Sequence, residues 1–196
     1  YSPDRLSLAG ELRTAIEQDQ LVLFYQPKAD MATGRITSVE ALVRWQHPQR
    51  GLVPPDEFIP LAEQSGLVRA LSLWVLNAAL SQARQWQLRG RPLTMAVNLS
   101  MRDLQDPGLP ETVAGLLDTW SVGSELLVLE ITEGTLMIDP AHAETILTRM
   151  AERKARIAID DFGTGYSSLA YLKRFPISVL KVDRAFIKDL PESAKD

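Results

Sequence analysis

An α/β fold built on a mostly parallel sheet is the class this sequence predicts, and three observations predict it. From residue 93 onward, short apolar runs alternate with helix-length segments, the pattern of strands joined by right-handed helical crossovers. Those runs are apolar on both faces, as a sheet covered on both sides requires. The first two runs are linked by only about ten residues centred on Thr33-Gly34, too few for a crossover helix, so that pair is antiparallel.

In chain order, residues 7–19 read as a helix with Leu8, Leu12 and Ile16 on one face. Residues 21–27 form a first strand that Pro27 stops, and residues 38–45 a second, with Glu40, Leu42 and Arg44 on one face by period-2 alternation. A Pro- and Gly-rich loop covers 47–55. Asp56 caps a helix ended by Gly66, and a longer helix spans about 68–88 with Leu73, Leu76, Leu80 and Ala83 buried. Trp74 and Trp86 read as core or contact residues. Four strand-loop-helix units follow, with strands at 93–100, 126–133, 157–161 and 179–183. Their helices are expected near 110–120, near 140–154, from Ser168 to about Lys173, and from about Ala185. Six strands are legible in all.

The chain has 196 residues, enough for one domain with a substantial core. A formal charge of −4 argues against a surface that tracks long nucleic acid. The absence of cysteine excludes disulfides and thiolate metal sites and fits a reducing compartment. No apolar run reaches the roughly 18 residues of a membrane span, and no signal peptide is visible. Residue 1 is Tyr, so the chain reads as a piece of a longer protein.

Each inner strand interrupts its apolar run with one polar group: Glu40, Asn98, Glu130, Asp160 and Lys181. All are expected in the C-terminal half of their strands, where α/β barrels and open α/β sheets place their sites. An isolated buried carboxylate is costly. Acids and an amide converging on one lysine leave charge that a hard cation with oxygen ligands would balance. Asp160 and Asp161 are adjacent, and neighbouring strand residues face opposite ways, so both can face the site only if the strand ends between them. Asp161 could serve a second cation, with Asp160 as the bridge. The competing reading is a structural ion-pair network.

These residues sit in a series of motifs: YQP at 25–27, EALVRW at 40–45, FIPLAE at 58–63, VNLS at 97–100, LEITE at 129–133, DDFGTGYSSL at 160–169 and KVDRAFI at 181–187. Together they resemble the EAL-domain family of cyclic diguanylate (c-di-GMP) phosphodiesterases, over essentially all 196 residues. The resemblance implies a (β/α)8 TIM-like barrel with one antiparallel strand, of which residues 1–196 supply the N-terminal helix and first six strands. It implies hydrolysis of c-di-GMP to linear 5′-pGpG with Mg²⁺ or Mn²⁺ at a two-metal site. Glu40, Asn98, Glu130 and Asp160 then look like metal ligands and Asp161 like a ligand of the second metal. Lys181 looks like the residue that positions the water, and Glu133 like the acid that anchors the 163–169 loop. Gln26, Leu42 and Arg44 look like substrate contacts. A homodimer contact through residues 168–174 with Tyr171 and Phe175, an upstream sensory or signalling domain and a cytoplasmic location belong to the same expectation, although the whole protein could be membrane-anchored.

The chain departs from the family pattern in two places. It stops at Asp196, before the family's last two strands, which carry a second-metal glutamate and a substrate-contacting glutamine. Lys154-Ala155-Arg156 also stands where the family usually has a Leu-Gly turn. The alternatives to a phosphodiesterase are a non-catalytic c-di-GMP receptor module and, more remotely, another metal-dependent barrel enzyme such as an enolase-type lyase.

Overall fold

The computed structural model describes residues 3–163, 173–183 and 185. Helix α1 (Pro3–Glu17) leads into β1 (Leu21–Ala29), β2 (Ile36–His47) and β3 (Gly51–Val53), then α2 (Pro55–Ser65) and α3 (Val68–Leu88). Next come β4 (Thr94–Asn98), α4 (Met101–Leu104), α5 (Leu109–Trp120), β5 (Leu127–Thr132), α6 (Glu133–Ile138), α7 (Pro140–Glu152), β6 (Arg156–Phe162) and β7 (Val179–Val182). The sheet runs β1-β2-β4-β5-β6-β7, with β3 paired to β2. β1 and β3 are antiparallel to β2, and every later neighbour is parallel. This is the fold of a TIM-like barrel, as far as the described strands carry it.

Strand alternation sorts the side chains into two layers. Val39, Ala41, Val43 and Trp45 of β2, Met95 and Val97 of β4, Leu127, Leu129 and Ile131 of β5, and Ile157 and Ile159 of β6 are buried in one continuous core with the helices. Trp45 is fully buried, edge-on to Phe58 of α2 at 5.9 Å. The other face is the barrel interior, floored by a small separate cluster of Ala96, Val128 and Ala158 with Val179 against it. Glu40, Asn98, Glu130, Asp160 and Lys181 all belong to this inner face by the same alternation.

Several sequence expectations change. Asp56 lies within the first turn of α2 and does not cap it, the N-cap position being Pro54 with no side-chain cap bond. β1 does not stop at Pro27 but continues to Ala29, because among the described strands β1 pairs on one side only, with β2, so the missing N–H breaks no ladder on the other. The expected 47–55 loop contains β3, so the strands among the described residues number seven. Leu73 is 47% exposed, whereas Leu76, Leu80 and Ala83 are buried as expected. The short helices α4 and α6 were not legible as separate elements. Phe175 is buried in the core, which leaves it no surface for a contact between copies. The expected helices from Ser168 and Ala185, and Tyr171, lie outside the described residues.

The Lys154 departure has a physical consequence. α7 ends with Arg153 as its cap, and Lys154 follows at φ 65°, in the left-handed region. Its N–H donates to Ala151 O at 2.8 Å, and Ala155 N–H donates to Met150 O at 3.2 Å. This is a helix-ending turn that favours glycine. A side chain there costs about 1–2 kcal/mol, partly offset because glycine loses more freedom on folding. Lys154→Gly is therefore expected to stabilise the protein by about 0.5–1 kcal/mol, read as a rise in the denaturant midpoint at constant slope. A lower midpoint would show that the left-handed turn is not under strain.

Candidate functional site

β2 threads its acid inward at Glu40, β5 at Glu130 and β6 at Asp160, and one carboxylate oxygen from each lies within 4.8 Å of the others. None of the three stands opposite another on the hydrogen-bonded ladder: Glu40 pairs with Ala96, Glu130 with Asn98 and Ala158, and Asp160 with Thr132. Strand tilt in a barrel brings such staggered positions to one level. Glu40 therefore needs no place near a strand end. It is the fifth of the twelve residues of β2, not in the C-terminal half as the sequence reading expected.

Lys181 sits at the centre. Its Nζ donates to Glu40 Oε2 at 3.0 Å, Glu130 Oε2 at 2.6 Å and Asp160 Oδ2 at 2.5 Å. Asn98 joins through its amide nitrogen, which donates to Glu40 Oε1 at 3.0 Å. A second ammonium, missed in the sequence, enters from β1: Lys28 Nζ lies 2.6 Å from Glu130 Oε1 and 3.1 Å from Glu40 Oε2. It escaped notice because Pro27 was read as the end of the strand. Period-2 alternation from Gln26, which pairs with Glu40, would have placed Lys28 on the inner face.

The adjacent aspartates both reach this region by a different device from the one expected. β6 runs on to Phe162, and its register with β7 slips between Ile159–Leu180 and Phe162–Val182. Two residues, Asp160 and Asp161, thus stand against one, Lys181, as in a β-bulge. Asp161 takes φ 53° to make it, and its N–H donates to Asp160 Oδ1 at 2.9 Å. The carboxylate of Asp161 is not one of the three that converge.

The protonation states follow from this crowding. Burial opposes ionisation of Glu40, yet hydrogen bonds from Lys181 and Asn98, with Lys28, hold its pKa down at about 2. Glu130 is 1% exposed, and burial, with the charge of Glu40 beside it, pushes its carboxyl above the usual range against the pull of both lysines. Burial, followed by the charges of Asp160 and Asp183, also raises Asp161. Burial acts to lower the Lys181 pKa, but its three carboxylate partners outweigh it and hold the ammonium above the ordinary lysine range. The three converging acids against Lys28 and Lys181 leave −3 + 2 = −1, and the nearby Asp161 brings the region to −2, a net negative charge that suits a cation. The sequence reading had only one lysine in this balance. The second lysine offsets one more negative charge but leaves the sign of the balance unchanged. All-oxygen donors at this spacing fit a hard cation such as Mg²⁺ or Mn²⁺.

Two supports hold the rim. Glu133 opens α6, is 3% exposed, and its Oε2 accepts from Gly163 N–H at 3.0 Å, so it ties the segment after the aspartates to the neighbouring strand end. Asp103, also buried, accepts from Ser100 N–H, Ser100 Oγ and Ser72 Oγ at 2.6–2.8 Å and fixes the turn that follows Asn98. A groove of about 920 Å³, which the three acids do not line, meets them through Asn98 and is lined also by Leu42, Arg44, Ser100, Thr132 and Thr135, among others, within the range of small-molecule sites. The Arg44 guanidinium lies 5.7 Å from the centre of the Phe24 ring and donates to Val43 O at 2.8 Å. Gln26 is exposed on β1 opposite Glu40 and does not line the groove.

The EAL domain family matches residues 9–196. The cyclic di-GMP phosphodiesterase PA2567 of Pseudomonas aeruginosa is 47% identical over 173 residues, covering 88% of this chain and 30% of that protein. The bifunctional diguanylate cyclase/cyclic di-GMP phosphodiesterase MucR of the same species is 45% identical over 194 residues, 98% of this chain and 28% of that protein. The chain thus spans less than a third of the length of these curated relatives. Among solved structures, the PaMucR phosphodiesterase in complex with c-di-GMP superposes with a TM-score of 0.90 at 45% identity, covering 96% of this chain and 77% of that one. The FimX EAL domain of P. aeruginosa bound to c-di-GMP gives 0.85 at 27% identity, covering 93% and 74%.

Proposed function

The chain belongs to the EAL domain family, and on that premise we propose that it carries the site of a c-di-GMP phosphodiesterase that forms linear 5′-pGpG. The observation that carries this reading is the convergence of Glu40, Glu130 and Asp160 around Lys181, beside a groove that presents Leu42 and Arg44. The nucleotide lies in the groove, with Arg44 pairing a phosphate oxygen and Leu42 offering apolar contact to a base. Gln26 contacts substrate from the β1 edge.

Glu40, Asn98, Glu130 and Asp160 would hold a Mg²⁺ or Mn²⁺ ion, and Asp161 would serve a second. Such ions polarise the phosphodiester and lower the pKa of the attacking water. Lys181, an ammonium at any working pH, cannot accept the proton of that water. It acts as a donor that orients the water and offsets negative charge: the water oxygen bonds to phosphorus as the P–O3′ bond breaks, a water proton ends on the released O3′, and the 5′-phosphate stays on the product. The partners proposed on the same ground are c-di-GMP, an upstream signalling domain and a second copy of the chain, in the cytoplasm.

Purified protein should convert c-di-GMP to pGpG with Mg²⁺ or Mn²⁺ and cease on chelation. Tight binding of c-di-GMP with no product at any metal concentration would instead favour a receptor module, a reading supported by the two lysines that already neutralise half of the four acids.

Glu133 tests the rim. Glu133→Gln keeps an acceptor for Gly163 but removes the charge. It is expected to raise the Mg²⁺ concentration for half-maximal hydrolysis about tenfold, the lower end of the cost of losing a group that orients metal ligands. An unchanged Mg²⁺ dependence would remove Glu133 from the mechanism.

A further inference from the structure

β1 runs opposite to β2, so its inner residues step down the barrel as the chain advances: Gln26 stands opposite Glu40, and Lys28 opposite Ser38, toward the floor. The inner positions that flank the two glutamates on the ladders are small, Ala96 opposite Glu40 and Ala158 opposite Glu130. The Lys28 stem can therefore rise to the acids from beneath, while Asp160 stands nearer the strand ends. Resting on the reading of Glu40, Glu130 and Asp160 as a cation site, we propose that Lys28 is a built-in competitor of that cation. It is a positioning residue whose ammonium bridges Glu40 and Glu130 and must withdraw when a divalent ion is bound.

The oxygens show why. Every carboxylate oxygen of Glu40 and Glu130 already accepts from a donor: Glu40 Oε1 from Asn98, Glu40 Oε2 from both lysines, Glu130 Oε1 from Lys28 and Glu130 Oε2 from Lys181. A cation that takes one oxygen from each acid meets an ammonium whichever pair it uses. Lys181 is anchored by three carboxylates, including Asp160, and its side chain is 24% exposed. Lys28 has two partners and is 33% exposed, so it is the one that yields at least cost. Its positive charge about 3 Å from two ligand oxygens also opposes a divalent ion directly. Before loading, Lys28 holds the two glutamates together. The contacts it surrenders set the metal concentration at which the site fills.

The test is Mn²⁺ binding measured by calorimetry without nucleotide, on the natural protein, Lys28→Met, Lys28→Arg and Glu40→Gln. Lys28→Met is expected to bind Mn²⁺ at least about tenfold more tightly, and Lys28→Arg, which keeps the charge, no more tightly than the natural protein. Glu40-dependent binding in the natural protein with unchanged or weaker binding in Lys28→Met overturns this proposal alone. No Glu40-dependent Mn²⁺ binding in the natural protein overturns both it and the cation-site reading. A variant that merely damaged the fold could not bind more tightly. Should Lys28→Met be unstable without metal, Mn²⁺ ought to raise its unfolding midpoint by more than it raises that of the natural protein. An equal or smaller rise counts against the competitor role.

Discussion

Glu40→Ala is expected to lower c-di-GMP hydrolysis by at least about 100-fold, because outer groups that only orient metal ligands already cost 10–100-fold when lost. Glu40 is held in its ionised form, with a pKa of about 2. It is also the shared acceptor for Asn98, Lys28 and Lys181. Removing it takes away one of three converging oxygens and releases three donors at once, so Asn98 and Lys181 lose their common anchor. The outer face of β2 is untouched, since Val39 and Ala41 pack on the other side of the strand. Folding should therefore survive, and an unfolding midpoint close to that of the natural protein is the accompanying check. Turnover within a few-fold of the natural protein would rule out the ligand role. The sign of the pH effect is also set. A carboxylate with a depressed folded pKa adds stability above its unfolded pKa, and that contribution is lost as pH falls from about 4.5 toward about 2. Glu40→Ala should lack this part of the acid-side decline.

Lys181→Met is expected to lower kcat by about 10²–10³-fold, the range for removing one preorganised hydrogen-bond donor. Methionine keeps much of the length and apolar stem but leaves Glu130, almost fully buried, with Lys28 as its remaining cationic partner among the described residues. The Glu130 carboxyl is already raised by burial and by Glu40. Without Lys181 it rises further, so the residual activity of Lys181→Met should need a higher pH than that of the natural protein. An unchanged pH profile together with unchanged turnover would show that Lys181 is only a structural counter-ion. Lys181→Arg separates charge from shape: a planar guanidinium keeps the charge but cannot meet three carboxylates as a compact ammonium does, so little rescue is expected.

Much of this site was legible before any coordinates, for reasons that differ by residue. Glu40, Asn98, Glu130, Asp160 and Lys181 stand out because each breaks an apolar run, and burial makes such breaks costly unless they converge. The limits of α3 at 68 and 88 were legible because Gly66 and Gly90 punctuate it, Gly66 in the left-handed conformation that ends α2. Lys28 was not legible, because proline is a stop signal in a central strand but harmless on an edge, and edge or centre is decided by the whole sheet. The bulge at Asp160-Asp161 was hidden for a similar reason: the extra residue exists only relative to the register of β7, a partner about twenty residues away. β3 is three residues long, too short for any periodicity to declare it.

That bulge restricts which amino acids position 161 can accept. With φ at 53°, the backbone there suits aspartate, asparagine and glycine and penalises β-branched residues. Drift that discards the charge at 161 therefore has cheap exits to asparagine and glycine, which leave the turn and the neighbouring Asp160 in place. The conformational demand and the chemical demand on this residue are separable. A saturation library scored for folding should rank asparagine and glycine beside aspartate at 161, whereas the same library scored for hydrolysis should keep aspartate alone. Relatives that bind the nucleotide without cutting it could arise from this position by single substitutions that cost almost no stability.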